Sequence, residues 1–468
     1  MVFSSLEFLF FYLPAVLLIY FLIPTRFLAV RNLALLVVSV LFYGWSEPSY
    51  IWIMFLSIVV DYTCGRLVSK HKQTAPKKAK AALIASVVIN VGILGFFKYA
   101  DFIIENLALI PAFSNLKPLG VVLPVGISFY TFQTMSYTLD VYLGEAKVQK
   151  NIATFGSYVT MFPQLIAGPI VRYRDVDNAL RARSHTIENA VCGIKRFVCG
   201  LAKKVLLANT AGVFYESFAA GVESQPSILG SWMGVVFFSF QIYFDFSGYS
   251  DMAIGLGKIM GFDFPENFNY PYISTSITDF WRRWHITLST WFREYVYIPL
   301  GGNRKGKFRT FINLILVWFL TGLWHGASWN FVLWGLYFAV LLILEKAFLS
   351  KLLSKLPRFI AHIYSLVFIV FGWFIFIYCD ISNPSAYLSA MFTSRFVSQL
   401  AIYDFVRSIV FLIILIIASI PLPHKIYCKI KDKLAIKVIM CVLLPLMILL
   451  CTAYLVDSSY NPFLYFRF

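Results

Sequence analysis

Charge is scarce in this chain. Only 13% of its 468 residues are Asp, Glu, Lys or Arg, against about a quarter in soluble domains. No long polar stretch interrupts it, which excludes a string of soluble domains. Cysteine is present but without pattern: the seven are Cys64, Cys192, Cys199, Cys379, Cys428, Cys441 and Cys451. An odd number with no paired spacing excludes a disulfide framework and a Cys/His metal site, and leaves them as packing residues in apolar segments. Met1–Ser5 lacks a basic region, and the first apolar run lacks a small-residue cleavage site. That run therefore reads as a retained span. Acidic residues are few, 23 against 40 basic ones, for a net charge of +17. The Lys and Arg fall in loops between apolar runs and not on one face, so the chain does not read as a nucleic-acid binder. Internal repeats and low-complexity tracts are also lacking.

What is abundant is apolar surface, 59% hydrophobic residues with 18% aromatic. A soluble fold cannot hide that much. A bilayer core needs about 20 apolar residues per helix. By that measure the clear spans lie near Glu7–Pro24, Leu28–Trp45, Tyr50–Leu67, Ala81–Tyr99, Trp232–Asp251, Phe311–Leu323, Phe331–Leu344, Phe359–Cys379, Asp404–Pro421 and Ala435–Leu455. The segments Val121–Tyr142, Ile152–Val171, Glu188–Phe218 and Ile273–Leu300 are ambiguous. Length allows about 11 to 13 membrane segments in an all-α membrane protein, a polytopic helical bundle that fills the chain as one domain, residues 1–468.

Basic loops set the orientation, because cytoplasmic loops carry an excess of Lys and Arg. Lys70, Lys72, Lys77, Lys78 and Lys80 place their loop inside, and counting back places the N-terminus outside the cell. The loops 351–358 and 425–437 are basic too, which leaves a short aromatic tail, 457–468, extracytoplasmic. Alternating crossings put Arg172, Arg174, Arg181 and Arg183 on the wrong side. A segment that enters and turns back at Pro163, Gly168 and Pro169 removes the conflict. Such non-helical backbone must be covered by protein or line a cavity.

Four stretches carry chemistry. In Thr321-Gly-Leu-Trp-His325-Gly-Ala-Ser-Trp-Asn330 a histidine sits between two apolar runs. Ionisable groups at membrane depth usually face a cavity and mark a function. Gly322 and Gly326 allow close approach to the backbone, and Trp324 and Trp329 are expected to wall the cavity. A helix-to-helix hydrogen bond is the plainer reading of the same histidine. In 276–304, aromatic and basic residues mix, and a continuous helix would bring Arg282, His285 and Ser289 to one face. Arg282 and Arg283 suit the phosphates of a donor, or else headgroups at an interface. Gln241, Asp245 and Asp251 suggest a polar lining on a third stretch; alternatively, Asp245 is paired with a cation, as buried charges usually are. The fourth, Leu123–Asp140, offers hydroxyls and Gln133 to a cavity or to neighbouring helices.

The motifs Trp324-His325-Gly-Ala, Asp279-Phe-Trp-Arg-Arg-Trp-His285-Ile-Thr-Leu-Ser-Thr-Trp-Phe-Arg and Gln241-Ile-Tyr-Phe-Asp-Phe-Ser-Gly-Tyr-Ser-Asp resemble the membrane-bound O-acyltransferase family. The likeness is to its bacterial branch with alginate and other polysaccharide O-acetyltransferases. It implies membrane helices and re-entrant helices around a central tunnel. It implies His325 and His285 as catalytic; Trp324, Asn330, Arg282, Arg283, Asp245 and Gln241 are the candidates to bind donor or line the cavity. It implies no permanently bound cofactor and no metal, with acetyl-CoA or another acyl thioester as donor. The expected setting is a bacterial plasma membrane and its lipids. The expected acceptor is an extracytoplasmic exopolysaccharide or peptidoglycan, reached with a separate extracytoplasmic acetyltransferase or esterase-like protein. The tail Phe463-x-Tyr465-x-x-Phe468 resembles the terminal motif of small partners in D-alanine transfer, so Tyr465 is a candidate acyl relay, or an aromatic anchor. D-alanyl transfer to teichoic acid is the alternative within the family. A polysaccharide or lipid transporter is the alternative outside it, and the lack of matching halves speaks against that.

Overall fold

The computed structural model describes residues 1–457 and Leu464. Among the described residues, ten helices are long and apolar enough to cross a membrane. All the runs read as clear spans from Leu28 onward correspond to such helices, and the first, Phe8–Leu22, is a shorter apolar helix. Ile187–Ser224, ambiguous in sequence, is one of the ten. The chain divides into two compact units, Met1–Phe197 with Tyr249–Pro265, and Val198–Gly248 with Glu266–Phe468.

The first unit contains α1 (Leu13–Leu22), α2 (Leu28–Ser46), α3 (Ile51–His71), α4 (Pro76–Ala108), α5 (Ile127–Leu143), α6 (Ile152–Thr160), α7 (Phe162–Leu165) and α8 (Tyr173–Arg181), and it takes in most of α9 (Ile187–Ala202). A buried carboxylate pins three of its helices. Asp61 on α3 accepts from Ser86 and Asn90 of α4 and from Thr138 of α5, the last two at 2.6 and 2.8 Å. Satisfied on all sides, such a group fixes helix register where apolar packing is degenerate.

The run around Pro163 does not cross a membrane as one helix. α6 has 9 residues and α7 has 4, which at 1.5 Å per residue is about 14 and 6 Å against the roughly 30 Å of a bilayer core. Asn151 caps α6 through its side chain, and the buried Pro163 lies in the first turn of α7. Arg172 pairs with Asp175 and Arg181 with Asp177, each at 2.8 Å. Much of the positive charge that creates the orientation conflict is thus neutralised locally.

The second unit contains α10 (Asn209–Ser224), the greater part of α11 (Ile228–Ile259), and then α12 (Ile277–Trp281), α13 (Ile286–Phe292), α14 (Gly306–His325), α15 (Trp329–Leu344), α16 (Ser350–Leu353), α17 (Arg358–Ile377), α18 (Pro384–Thr393), α19 (Gln399–Ala418), α20 (Leu422–Ile430) and α21 (Leu434–Asp457). Its core is aromatic, with Trp281, Trp284, Trp334, Phe338 and Trp373 in one buried cluster. α14 and α15 form a hairpin packed backbone to backbone. A Cβ at Gly322 would lie 2.3 Å from the Phe331 carbonyl oxygen, and one at Gly335 2.3 Å from that of Trp318. Outward-facing helices keep apolar exteriors: α21 exposes Val438, Val442, Leu446 and Leu449. Only Cys64 and Cys451 of the seven cysteines are buried; the other five lie on exposed surface and do not pack the core.

Candidate active site

His325 is the last residue of α14, and Gly326 ends the helix in extended backbone. Gly326 is required there because a Cβ would run into the Phe331 ring at 2.2 Å. The imidazole is 7% exposed and ringed by aromatic edges. Trp324 and Trp334 lie with ring centroids at 5.0 Å, and Phe376 at 5.5 Å. Asn330, in the first turn of α15, donates to the Phe376 carbonyl at 2.7 Å and so ties α15 to α17 beside the histidine. Trp329 does not wall the site as its spacing suggests. It is 58% exposed at the first position of α15, and Trp334, five residues on, points inward in its place.

His285 belongs to the same unit and is 1% exposed. The segment that carries it is not one helix. α12 stops at Trp281, a turn follows, and α13 restarts at Ile286, with His285 between them in the left-handed region at φ 45°, ψ 53°. Two polar anchors hold the segment, one at the break and one at the start of α12. Asn267, eighteen residues upstream, receives the His285 Nδ1 contact at 3.1 Å and the Thr287 hydroxyl at 2.9 Å on its Oδ1, and its carbonyl accepts from the Ile286 amide at 3.0 Å. Glu345, buried, accepts from the amides of Ile277 and Thr278 at 2.6 and 2.9 Å. A carboxylate there satisfies orphan amides and complements the helix dipole. Sequence spacing alone reveals neither anchor.

The break separates the residues expected on one face. His285 turns inward, edge-on to Phe246 at 4.7 Å and facing Trp324 at 5.8 Å. Arg282 is exposed. Arg283 pairs with Asp279 at 2.9 Å and donates to the Asn269 carbonyl. Trp324 therefore lies against both imidazoles, and the two arginines lie in the turn itself. His285 lies outside the ten crossing helices. Burial, helped by the nearby charge of a protonated His325, holds its imidazole well below the ordinary histidine range. Desolvation favours the uncharged ring.

Gln241 and Asp245 are buried on α11. Asp245 forms an ion pair with Lys204 at 2.6 Å, and its other oxygen accepts the Leu464 amide at 3.0 Å. Leu464 is 5% exposed and belongs to the same aromatic cluster as Trp281 and Trp334. Tyr465 lies outside the described residues. No group of three or more His, Cys, Asp or Glu suited to a metal occurs among the described residues.

Fold and site together define a polytopic helical membrane protein with two buried imidazoles sharing an aromatic wall. Residues 40–389 match the model of MBOAT, the membrane-bound O-acyltransferase family. Probable alginate O-acetylase AlgI of Azotobacter vinelandii is 43% identical over 80% of this chain and 75% of its own length. The peptidoglycan O-acetyltransferase of Helicobacter pylori is 35% identical over 80% and 77%. The teichoic acid D-alanyltransferase of Bacillus subtilis is 31% identical over 54% and 68%. The chain belongs to the membrane-bound O-acyltransferase family, and it is a multi-pass membrane O-acyltransferase.

Proposed function

We propose that the protein moves an acetyl group from a cytoplasmic acyl thioester, acetyl-CoA in the simplest case, toward an extracytoplasmic polysaccharide, with His325 as the general base. The observation that carries this reading is the Trp324 ring lying against both His325 and His285 in a buried, aromatic site. In the transfer an acceptor hydroxyl oxygen attacks the thioester carbonyl carbon, the C–S bond breaks, and the hydroxyl proton passes to the neutral imidazole and then to the leaving thiolate. Positioned base catalysis of this kind contributes about 10²–10⁴-fold. His285, fixed by Asn267, is suited to orient the acceptor or the developing oxyanion. Relatives named for O-acetyl transfer align over more of the chain, and at higher identity, than the D-alanyltransferase does, which favours acetyl over D-alanyl.

Tyr465 serves as the first acceptor and hands the acetyl group to a separate extracytoplasmic acetyltransferase or esterase-like partner. Its neighbour Leu464 bonds to Asp245, one residue from the Phe246 that packs on His285, and this adjacency supports the relay. The plasma membrane, with the N-terminus outside, is the setting this route needs. The test uses membranes containing the protein, labelled acetyl-CoA and, separately, labelled D-alanine on its carrier. Acetyl label in polymer that is lost in His325→Ala, with the variant still present in the membrane, supports the assignment; normal labelling in that variant refutes it. Mass spectrometry of the C-terminal peptide should find an acetylated tyrosine that Tyr465→Phe abolishes. A fully active Tyr465→Phe enzyme would refute the relay.

A further inference from the structure

Away from the two histidines, the first unit holds a concentration of positive charge that the transfer chemistry does not use. Arg31 near the start of α2 is 3% exposed. Its Nε donates to the Ile23 carbonyl at 2.7 Å, and a terminal nitrogen approaches the His185 ring at 3.2 Å. Arg183 spends one terminal nitrogen on the Asn32 side chain at 2.6 Å, and its Nε and other terminal nitrogen are buried with no hydrogen-bond partner. Both guanidiniums lie over Tyr20, at 5.0 and 5.7 Å from the ring centroid. The Tyr20 hydroxyl donates to the Met260 carbonyl at 2.8 Å and stands 3.0 Å from His185 Nε2. No carboxylate forms an ion pair with Arg31 or Arg183 among the described residues.

Two neighbouring cations withdrawn from water without an acid are costly unless an anion completes them. Burial, with Arg31 alongside, pushes Arg183 down to about 10, and burial with both guanidiniums lowers His185 as well. The place is also tightly built. Gly261 sits at φ 84°, and a Cβ there would come within 3.2 Å of His185 Nε2.

We propose that Arg31, Arg183, His185 and Tyr20 form a binding site for a phosphate group, presented by an anionic phospholipid. Arginine supplies planar donors matched to phosphate oxygens, and Arg183 has two uncommitted nitrogens to give. Depth argues for a lipid source. Tyr20 is next to the end of α1, Arg31 is in the first turn of α2, and Met260 directly follows α11. The cluster therefore gathers the ends of three apolar helices, where headgroups lie. Phe21, Leu22 and Phe27, exposed by 43%, 72% and 47%, flank it with surface suited to acyl chains. A zwitterionic headgroup brings its own ammonium and cannot neutralise two guanidiniums as well.

The test is native mass spectrometry of the full chain in neutral detergent, titrated with phosphatidylglycerol, with phosphatidylcholine of the same chains, and with inorganic phosphate. Phosphatidylglycerol should be retained about fivefold better than phosphatidylcholine, the worth of one cation against an anionic lipid. Arg183→Gln should remove that preference, and Arg183→Lys and the distant Arg358→Gln should keep it. Equal retention of the two lipids by the unaltered protein overturns the proposal, and that comparison needs no variant to fold. An undiminished preference in well-folded Arg183→Gln overturns it too. Inorganic phosphate binding in place of lipid, and lost in Arg183→Gln, supports the anion site and makes its ligand a soluble phosphate.

Discussion

His285 holds a left-handed backbone conformation, φ 45°, that few non-glycine residues adopt. Such positions cost of order 1–3 kcal/mol and persist only where the surroundings over-determine them. Among the surroundings here is Asn267, whose side-chain and main-chain oxygens hold His285, Ile286 and Thr287. Asn267→Ala should therefore act on turnover through geometry. A displacement of about 1 Å at a reacting group is worth about 10²-fold, so transfer of labelled acetyl should fall by that order while the protein remains folded. Asn267→Asp keeps the acceptor and adds a negative charge, which stabilises the imidazolium. Its activity should be partly restored, with the acid limb of the pH–rate profile moved to higher pH. A uniform loss in both variants, with an unmoved profile, would mean that Asn267 is only a packing residue.

The same histidine makes stability depend on pH. Its folded-state proton affinity is depressed by burial, against an unfolded value of about 6.5. Below that value the unfolded chain takes up a proton that the folded chain refuses. The stabilising contribution is thus complete above about 6.5 and is lost as pH falls toward the depressed value. Thermal unfolding in detergent should show the midpoint dropping between pH 7.5 and 5, and His285→Gln should flatten that drop.

At the scale of elements, the hairpin of α14 and α15 sets where His325 points. Gly322 and Gly335 face the opposing backbone, and the nearest atoms are main-chain carbonyl oxygens that cannot rotate away. Gly335→Ala must push the helices apart, and overpacking of this kind costs about 1–3 kcal/mol. The expected result is a lower unfolding midpoint together with reduced transfer, because the shift is delivered to Trp318, Gly322 and through them to the turn at His325. An unchanged midpoint would show that the hairpin yields without resistance. Glu345 does comparable work for α12, and Glu345→Ala should leave the Ile277 and Thr278 amides buried without their acceptor, a loss of about 1–3 kcal/mol.

These elements also show what the sequence could and could not reveal. Long apolar runs announce themselves by length, and each clear run became a helix, though α4 and α11 run well past the ends expected of them. The motif around His325 is local; Gly322 meets opposing backbone as expected, and Gly326 meets the Phe331 ring instead. The segment 276–304 was not legible in the same way. Its composition suits one amphipathic helix, and the break at His285 is held by Asn267, a contact that joins separate stretches and leaves no periodicity. Arg282 and Arg283 are adjacent to the site in sequence, yet Arg282 is exposed and Arg283 is committed to Asp279. Trp329 and Trp334 exchange places for a related reason: where α15 begins decides which of two tryptophans points inward.

On the scale of the whole molecule, the distribution of apolar surface distinguishes membrane burial from core burial. α11 has 72% of its most apolar window inside the protein, and α21 has 6%. Both are apolar, but for opposite partners, protein in one case and lipid in the other. Ionisable residues respect the division. Asp245 and Lys204 are inside and paired, and the middle of α21 carries none. A charge placed on the lipid face should therefore be rejected by the bilayer and not by the core. Leu446, 54% exposed near the centre of α21, is the position to test. Arginine at the centre of a membrane helix costs about 2.5–3.5 kcal/mol on insertion scales. Leu446→Arg should lower the fraction of chains with α21 inserted, read by glycosylation or cysteine-labelling of a tag after Phe468. Leu446→Phe, which keeps the surface apolar, should insert as the parent does. If Leu446→Arg inserts fully, α21 is covered by protein in the membrane and its exposed face is a contact with another chain.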